Sequence, residues 1–196
     1  MTYYQFFFGF ANSIIRVIWR PRYRNIIAVP AIGAAVICAN HTFALDPLLI
    51  ALSISRPVHF LAKEELYRNP LLRFIFQRTN MVPVKRGQND RQAMRASLKY
   101  LNQGEILGVF PEGTRSKTAE LLDFFDGAVY FAMKTGAPLI PAAIIGQYRW
   151  FTSMQVVYGE PIMVEKAEIP DRKVMHLLTE RLSEEIAILK RNGHGN

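Results

Sequence analysis

A histidine and an aspartate, His41 and Asp46, lie five positions apart in the stretch CANHTFALDP. A neutral imidazole can take a proton from a hydroxyl group, and a carboxylate on its other ring nitrogen fixes the tautomer and stabilises the imidazolium. In an α-helix each residue turns by about 100°, so five steps would leave the two side chains roughly 140° apart around the axis. The pair therefore needs a strand end, a loop and a helix start to bring it together.

Each member of this pair also has an ordinary structural interpretation. His41 could be a histidine satisfied within the fold, and Asp46 could be the N-cap of a helix whose first residue is Pro47. Asp46 could serve both roles, because a carboxylate has two oxygens. No serine or cysteine is evidently placed as a third member, and Cys38 belongs to an apolar run. The pair would therefore activate a hydroxyl of the substrate and not an enzyme nucleophile.

Charged and small side chains follow two further apolar runs, in the stretches PVKRG and FPEGTRS. The candidate substrate-binding residues in these stretches are Lys85, Arg86, Glu112, Gly113, Thr114 and Arg115. A guanidinium can hold a phosphate through two parallel hydrogen bonds, and neighbouring cations add charge. Glu112 could hold a hydroxyl group or orient one of the cations. The alternative, solvated loop charges, is weaker for Glu112 and Arg115, which are predicted between a buried strand and a turn.

The remaining histidines are poor candidates for chemistry. His59 lies in a predicted strand, His176 on the predicted last helix, and His194 near the C-terminus. None is paired with a carboxylate at metal-ligand spacing, so we predict no metal site. A single cysteine cannot form a disulfide framework, which favours a reducing, cytosolic environment.

The elements that must position these residues follow from the apolar pattern after Pro30. Near-continuous runs of Val, Ile, Leu and Ala alternate with amphipathic segments, as in sheets that helices cover on both faces. The predicted strands are 34–40, 58–63, 81–85, 106–110, 138–146 and 154–161; the predicted helices are 47–55, 68–79, 89–104, 126–136 and 170–191. This order predicts an α/β fold with a mostly parallel central sheet flanked by helices. Ligands of such sheets bind at the carboxyl ends of the strands, where the candidate residues lie.

The overall composition indicates one globular domain with a basic surface. The chain has 196 residues, half of them hydrophobic, and a formal net charge of +8. A basic balance suits phosphates, acidic carrier proteins and anionic lipid surfaces. The chain has no finger spacing, aromatic RNA-binding motif or obvious helix-turn-helix, so we predict no nucleic-acid partner.

The first residues predict an amphipathic helix. Aromatic and aliphatic side chains surround a narrow polar stripe in residues 5–19, and Arg20, Arg22 and Arg24 follow. This pattern is typical of a helix that lies in a membrane interface; the alternative is a first helix packed on the core or on a partner. The stretch is too short and interrupted to span a bilayer and lacks signal-peptide features. We assign residues 1–29 to a membrane-associating helical segment and residues 30–196 to the main domain.

The motifs in combination resemble those of the glycerophospholipid acyltransferases. NHTFALD is similar to the Asn-His-x-x-x-x-Asp block of that family, VPVKRG to its second block, FPEGTRS to its third, and LIPAAIIG to its fourth. The order and spacing agree over residues 30–150, and the bacterial 1-acylglycerol-3-phosphate acyltransferases are the most similar type. Thr42 and Phe43 depart from the pattern, because many members have a serine nearby.

The resemblance implies a membrane-associated acyltransferase. His41, oriented by Asp46, would deprotonate the sn-2 hydroxyl of lysophosphatidic acid, which attacks the thioester of acyl-CoA or acyl-carrier protein to give phosphatidic acid. Lys85, Arg86 and Arg115 would bind the phosphate, and the stretch 112–114 would shape the glycerol end. No cofactor is implied beyond the acyl donor. The expected location is the cytoplasmic face of the cell membrane, peripheral or monotopic, on an anionic surface.

Three alternatives stay open at this point. The same fold could acylate glycerol 3-phosphate or another lysophospholipid. A non-catalytic lipid-binding membrane protein is a second alternative, against which the intact pair of His41 and Asp46 argues. A lipid-phosphate hydrolase is the third, although the sequence shows neither a metal cluster nor a nucleophile for it.

Overall fold

The computed structural model describes residues 13, 15, 17–68, 81–84, 91–118, 120–149 and 152–193. The described strands are β1 (Arg22–Arg24), β2 (Ala35–Ala39), β3 (Val58–Lys63), β4 (Val82–Val84), β5 (Ile106–Val109), β6 (Leu139–Ile145) and β7 (Gln155–Tyr158). The described α-helices are α1 (Asp46–Ser53), α2 (Arg91–Asn102), α3 (Gly127–Thr135) and α4 (Arg172–Gly193), with 3-10 helices at Ile26–Ala28 and Glu64–Arg68.

The strands form one sheet in the order β1-β7-β6-β2-β5-β3-β4. Neighbouring strands from β6 to β4 pair in parallel, β7 pairs antiparallel with β6, and β1 pairs in parallel with β7. This arrangement confirms the predicted α/β fold with a mostly parallel sheet. The carboxyl ends of β2, β5 and β6 consequently meet at one edge.

The central strand β2 is apolar throughout because its two faces support two separate cores. Side chains alternate across a strand, so Ile37 faces a cluster that includes Leu49 of α1, whereas Val36 and Cys38 face a cluster that includes Leu182 of α4. All five residues of β2 are fully buried. Strands covered on both faces have no polar alternation, which explains the uninterrupted AVICA run.

The predicted helix ends at Gly104 and Gly136 are confirmed by left-handed backbone. Gly104 has φ +80° and Gly136 has φ +75°, and the Gly136 N–H donates to the carbonyl of Ala132 at 2.7 Å. A residue without Cβ adopts this conformation at little cost and satisfies the last carbonyls of the helix. The two glycines therefore set where α2 and α3 return the chain to β5 and β6.

The predicted N-terminal helix lies only partly within the described residues. Residues 13, 15 and 17–19 are helical; Ile15 is buried in the core on the α1 side of the sheet, and Val17 is 66% exposed. Strand β1 follows at once and lies inside the predicted segment 1–29, so this segment contributes an edge strand to the sheet. Most of the predicted helix 68–79 lies outside the described residues. Of the helices described, none has the length and apolar character needed to cross a bilayer.

Candidate active site

Asn40 fixes the point at which the chain leaves β2. Its buried amide side chain donates to the carbonyl of Ile144 at 3.1 Å and accepts from the N–H of Ile144 at 2.8 Å. Through these two bonds the Asn40 side chain extends the pairing of β2 with β6 beyond the end of β2. They also give partners to the main-chain N–H and carbonyl groups of Ile144, which would otherwise be buried without any. His41 therefore starts from a rigid position at the carboxyl edge of the sheet.

His41 and Asp46 form the pair that the sequence predicts. The Nδ1 atom of His41 lies 2.9 Å from Oδ2 of Asp46; Asp46 is completely buried, and the His41 side chain is 16% exposed. A strand end, a loop and the first turn of α1 bring the two together, as the five-residue spacing requires. Because Asp46 engages Nδ1, the Nε2 atom is the one that can accept a proton from a substrate.

The predicted N-cap role of Asp46 is wrong. Asp46 is the first residue of α1, and Leu45 occupies the N-cap position without a side-chain hydrogen bond. The carboxylate turns back towards the preceding loop, where Oδ2 accepts the N–H groups of Thr42 at 2.7 Å and Phe43 at 2.8 Å. These donors replace the water that a buried carboxylate loses, so the loop itself holds Asp46 against His41.

Tyr148 supplies the donor for the second oxygen of Asp46. Its hydroxyl donates to Oδ1 at 2.6 Å, across 102 positions of sequence. Burial, and next the nearby Asp46 carboxylate, raise the pKa of Tyr148 above its usual range, so the phenol stays a neutral donor. Sequence reasoning missed Tyr148; the available signal was its position just after the carboxyl end of β6.

An aromatic ring supports the imidazole. Phe110, the first residue after β5, stacks on His41 with ring centroids 4.2 Å apart and an angle of 20° between the planes. The ring of Phe60 on β3 lies 5.8 Å from that of Phe110, with an angle of 17° between the planes. The stack restricts rotation of the imidazole about its side-chain bonds, a role that the sequence did not reveal.

Glu112 braces the main chain of His41. It is almost fully buried; Oε1 accepts the N–H of His41 at 2.7 Å and Oε2 accepts the N–H of Leu122 at 3.1 Å. Burial raises the pKa of Glu112, while these two N–H groups and the electrostatic influence of His41 and Lys190 oppose the rise. Both oxygens thus have main-chain donors, so any contact with a substrate hydroxyl would be additional to them.

Of the remaining candidate substrate-binding residues, three lie on the described loop after β5 and two lie outside the described part of the chain. Gly113, with φ +64°, turns the loop after Glu112, and the Ser116 N–H donates to the His41 carbonyl at 2.8 Å. Thr114 and Arg115 are exposed on this loop. Lys85 and Arg86 lie outside the described residues, so their place at the site stays a prediction.

Among the described residues, neither an accessible thiol nor a cluster of metal-ligating side chains accompanies the pair. Cys38 is fully buried, and burial raises the pKa of its thiol, so it is neither accessible nor nucleophilic. No group of three or more His, Cys, Asp or Glu side chains among the described residues is placed to hold a metal ion. The arrangement is suited to general-base catalysis on a hydroxyl of the substrate.

Comparisons with known proteins agree with the motifs. A family model described as "Acyltransferase" matches residues 20–145. A 1-acyl-sn-glycerol-3-phosphate acyltransferase from Bacillus subtilis is 30% identical over 169 residues, which cover 83% of this chain and 84% of that protein. A protein of the same name from Borreliella burgdorferi is 29% identical over 126 residues, which cover 63% of this chain and half of that protein.

A solved structure shares the fold. The crystal structure of the 1-acyl-sn-glycerophosphate (LPA) acyltransferase PlsC from Thermotoga maritima matches with a TM-score of 0.69 and 25% sequence identity, covering 94% of this chain and 78% of that one. The family resemblance that the sequence motifs predict is therefore confirmed.

Proposed function

This chain belongs to the acyltransferase family, and on that premise we propose that it acylates the sn-2 hydroxyl of lysophosphatidic acid to give phosphatidic acid. Acyl-CoA or acyl-carrier protein is the proposed donor. The observation that carries the proposal is the 2.9 Å contact between Nδ1 of His41 and Oδ2 of Asp46 at the carboxyl edge of the sheet. The names of the relatives support lysophosphatidic acid as the acceptor.

The proposed reaction uses the dyad as a general base and then as an acid. Nε2 of His41 accepts the proton of the acceptor hydroxyl while its oxygen attacks the thioester carbonyl, and Asp46 stabilises the imidazolium. The tetrahedral intermediate collapses with cleavage of the carbon–sulfur bond. The imidazolium returns its proton to the departing thiolate, which leaves as the free thiol of CoA or of the carrier protein.

Substrate binding in this proposal uses cationic side chains of the second and third motif blocks. Arg115 is exposed on the loop that also carries Glu112, and Lys85 and Arg86 are the other proposed ligands of the acceptor phosphate. The loop 112–114 would lie at the glycerol end. The apolar N-terminal segment and the formal charge of +8 favour a peripheral position on an anionic membrane, with the cytoplasmic face as the proposed side.

The test supplies purified protein with lysophosphatidic acid and labelled acyl-CoA or acyl-carrier protein in separate reactions. We expect phosphatidic acid from the wild type, and a loss of roughly 10²- to 10⁴-fold in rate for His41→Ala, since that is the usual contribution of a general base. The matched control is His176→Ala, because His176 is exposed on α4, near Glu180 at 3.4 Å; its rate should not change.

Three outcomes would contradict the proposal in whole or in part. Equal rates for wild type and His41→Ala would remove His41 from the mechanism. Turnover of glycerol 3-phosphate or another lysophospholipid in preference to lysophosphatidic acid would keep the acyltransferase and change the acceptor. A wild type that binds lipid without turnover would favour the non-catalytic alternative.

A further inference from the structure

We propose that Tyr148 is a positioning residue for acyl transfer, which fixes the Asp46 carboxylate and thereby sets the pH range in which His41 acts as a base. The inference rests on the proposed function, because the dyad is its object. Tyr148 lies beyond the four motif blocks, yet its hydroxyl is 2.6 Å from Oδ1 of Asp46.

The aromatic ring of Tyr148 is held on two sides. Phe43 stacks on it with centroids 4.4 Å apart and an angle of 29°, and Trp19 meets it edge-on at 5.4 Å and 79°. The main chain of Trp19 is itself fixed, because its carbonyl accepts the N–H of Met154 at 3.0 Å. The hydroxyl therefore reaches Asp46 from a ring with little rotational freedom, as a preorganised donor should.

The titratable groups that face this hydrogen bond come from different elements. Asp46 lies on α1, His41 on the loop after β2, and Tyr23 on β1, close enough to affect Tyr148 electrostatically. Glu112 is more remote from this hydrogen bond; its carboxylate accepts the main-chain N–H of His41. Burial and the Asp46 carboxylate raise the pKa of Tyr148 above its usual range, so it donates to Asp46 throughout the working pH range.

Loss of this donor would affect the two protonation states of the dyad unequally. With His41 neutral, the buried Asp46 charge depends on its hydrogen-bond donors alone. With His41 protonated, the imidazolium also compensates that charge. Removing the Tyr148 hydroxyl therefore disfavours the neutral, catalytically competent imidazole relative to the imidazolium.

The first variant is Tyr148→Phe, which keeps the ring and its contacts with Phe43 and Trp19. We expect kcat to fall about tenfold, because the Asp46 carboxylate that orients the imidazole loses a fixed donor. We also expect the acid limb of the kcat/KM profile to move to higher pH, with an unchanged KM for lysophosphatidic acid. The control is Tyr130→Phe, whose ring packs edge-on against Phe131 on α3; it should leave all three quantities unchanged.

A second variant strengthens the donor and keeps the aromatic ring. Replacement of Tyr148 by 3-fluorotyrosine makes the phenol more acidic, so its hydrogen bond to Asp46 becomes stronger and the acid limb should move to lower pH. NMR titration of the His41 ring protons gives a readout that is independent of turnover: the ring should titrate at higher pH in Tyr148→Phe and at lower pH in the fluorinated protein.

The outcomes separate this inference from the function on which it rests. An active wild type whose Tyr148→Phe variant keeps the same pH profile and the same His41 titration would overturn the positioning role. A lower kcat with no shift of either curve would also overturn it, since that result would indicate general structural damage. A wild type that forms no phosphatidic acid would contradict the proposed function, while the His41 titration would still test the role of Tyr148.

Discussion

His41 is held at four points, by Asp46 five positions along the chain and by three residues of the distant stretch 110–116. Asp46 binds Nδ1, Phe110 stacks on the ring, Glu112 accepts the main-chain N–H, and Ser116 donates to the carbonyl. The proposed general base must keep its proton-accepting atom within hydrogen-bond reach of the substrate, and each constraint would remove a rotamer or backbone state that is inactive in that role. At this scale the loop FPEGTRS supports the base as well as carrying Arg115 for the proposed phosphate site.

Glu112→Gln tests whether the buried carboxylate braces the base. A glutamine retains one carbonyl oxygen, so the N–H of either His41 or Leu122 would face an NH₂ group and lose its acceptor. A lost hydrogen bond costs on the order of 1 kcal/mol, and we expect a fall in kcat of roughly five- to tenfold. Steady-state kinetics with lysophosphatidic acid measure it; a change in KM alone would instead indicate contact with the substrate.

The same variant has a pH signature in stability. Burial raises the pKa of Glu112 above 4.5 in the folded protein, so its contribution to the free energy of unfolding is present at low pH and is lost as the pH rises through the folded value. Glutamine does not titrate. The free energy of unfolding of the wild type should therefore fall relative to that of the variant as the pH rises above 4.5. Urea denaturation at several pH values measures this; parallel curves would contradict it.

The sequence predicted the pairing of His41 with Asp46 but not the partners of that pair. The pairing was accessible because the strand, loop and helix start are contiguous in sequence. Tyr148 lies 102 positions from Asp46, and only the fold brings them together. Asp46 was expected to cap α1, but its carboxylate accepts the N–H groups of residues 42 and 43, which precede the helix, and not those of the first helical turn.

At the scale of elements, the packing of strand β3 against strand β5 supports the ring of His41 through two aromatic side chains. Gly108 of β5 leaves the space that the ring of Phe60 on β3 occupies. Phe60 is in turn nearly parallel to Phe110, and Phe110 stacks on His41. The orientation of the imidazole thus depends on a strand position that has no side chain of its own.

Gly108→Ala should disturb this stack. A Cβ at this position would overlap the Phe60 ring, so the ring must shift and Phe110 with it. Overpacking of this kind typically costs about 1–3 kcal/mol of stability, and we expect kcat to fall as well because the support of His41 moves. Urea denaturation and steady-state kinetics measure the two effects.

Gly127→Ala is the matched control. Gly127 is the first residue of α3, and no heavy atom lies within 4 Å of the position that a Cβ would take. Alanine suits a helix better than glycine, so the free energy of unfolding should be unchanged or slightly higher. For Gly108→Ala itself, a kcat equal to that of the wild type would show that the stacked rings do not determine the orientation of His41.

The repeated strand–helix pattern predicted most described elements but not the order of the strands in the sheet. Continuous apolar runs such as ILGV and LIPAAII are buried on both faces, so their strand character is visible in the sequence. Strand β1, with the sequence RYR, has no such run, and its pairing with β7 depends on residues about 130 positions away. The position of β5 between β2 and β3 likewise depends on packing that no local pattern encodes.

At the scale of the whole molecule, the proposed membrane association combines an apolar and an electrostatic contribution. Residues 1–12 include six Phe or Tyr side chains, and they contain no Lys, Arg, Asp or Glu. Removal of these residues therefore leaves the formal charge at +8. Apolar insertion is insensitive to salt, whereas attraction to anionic lipid is screened over about 10 Å at 0.1 M ionic strength.

Deletion of residues 1–12 should separate these contributions. We expect the full chain to bind phosphatidylglycerol vesicles at both low and high salt, and the deletion variant to bind only at low salt, because the charge alone remains. Trp19 is retained, so its contact with Tyr148 persists, and turnover of a water-soluble, short-chain lysophosphatidic acid should be preserved. Vesicle sedimentation and the soluble assay measure the two properties. Binding of the deletion variant at high salt would place the apolar contact elsewhere on the molecule, and loss of soluble turnover would show that residues 1–12 support the catalytic fold instead of the membrane contact.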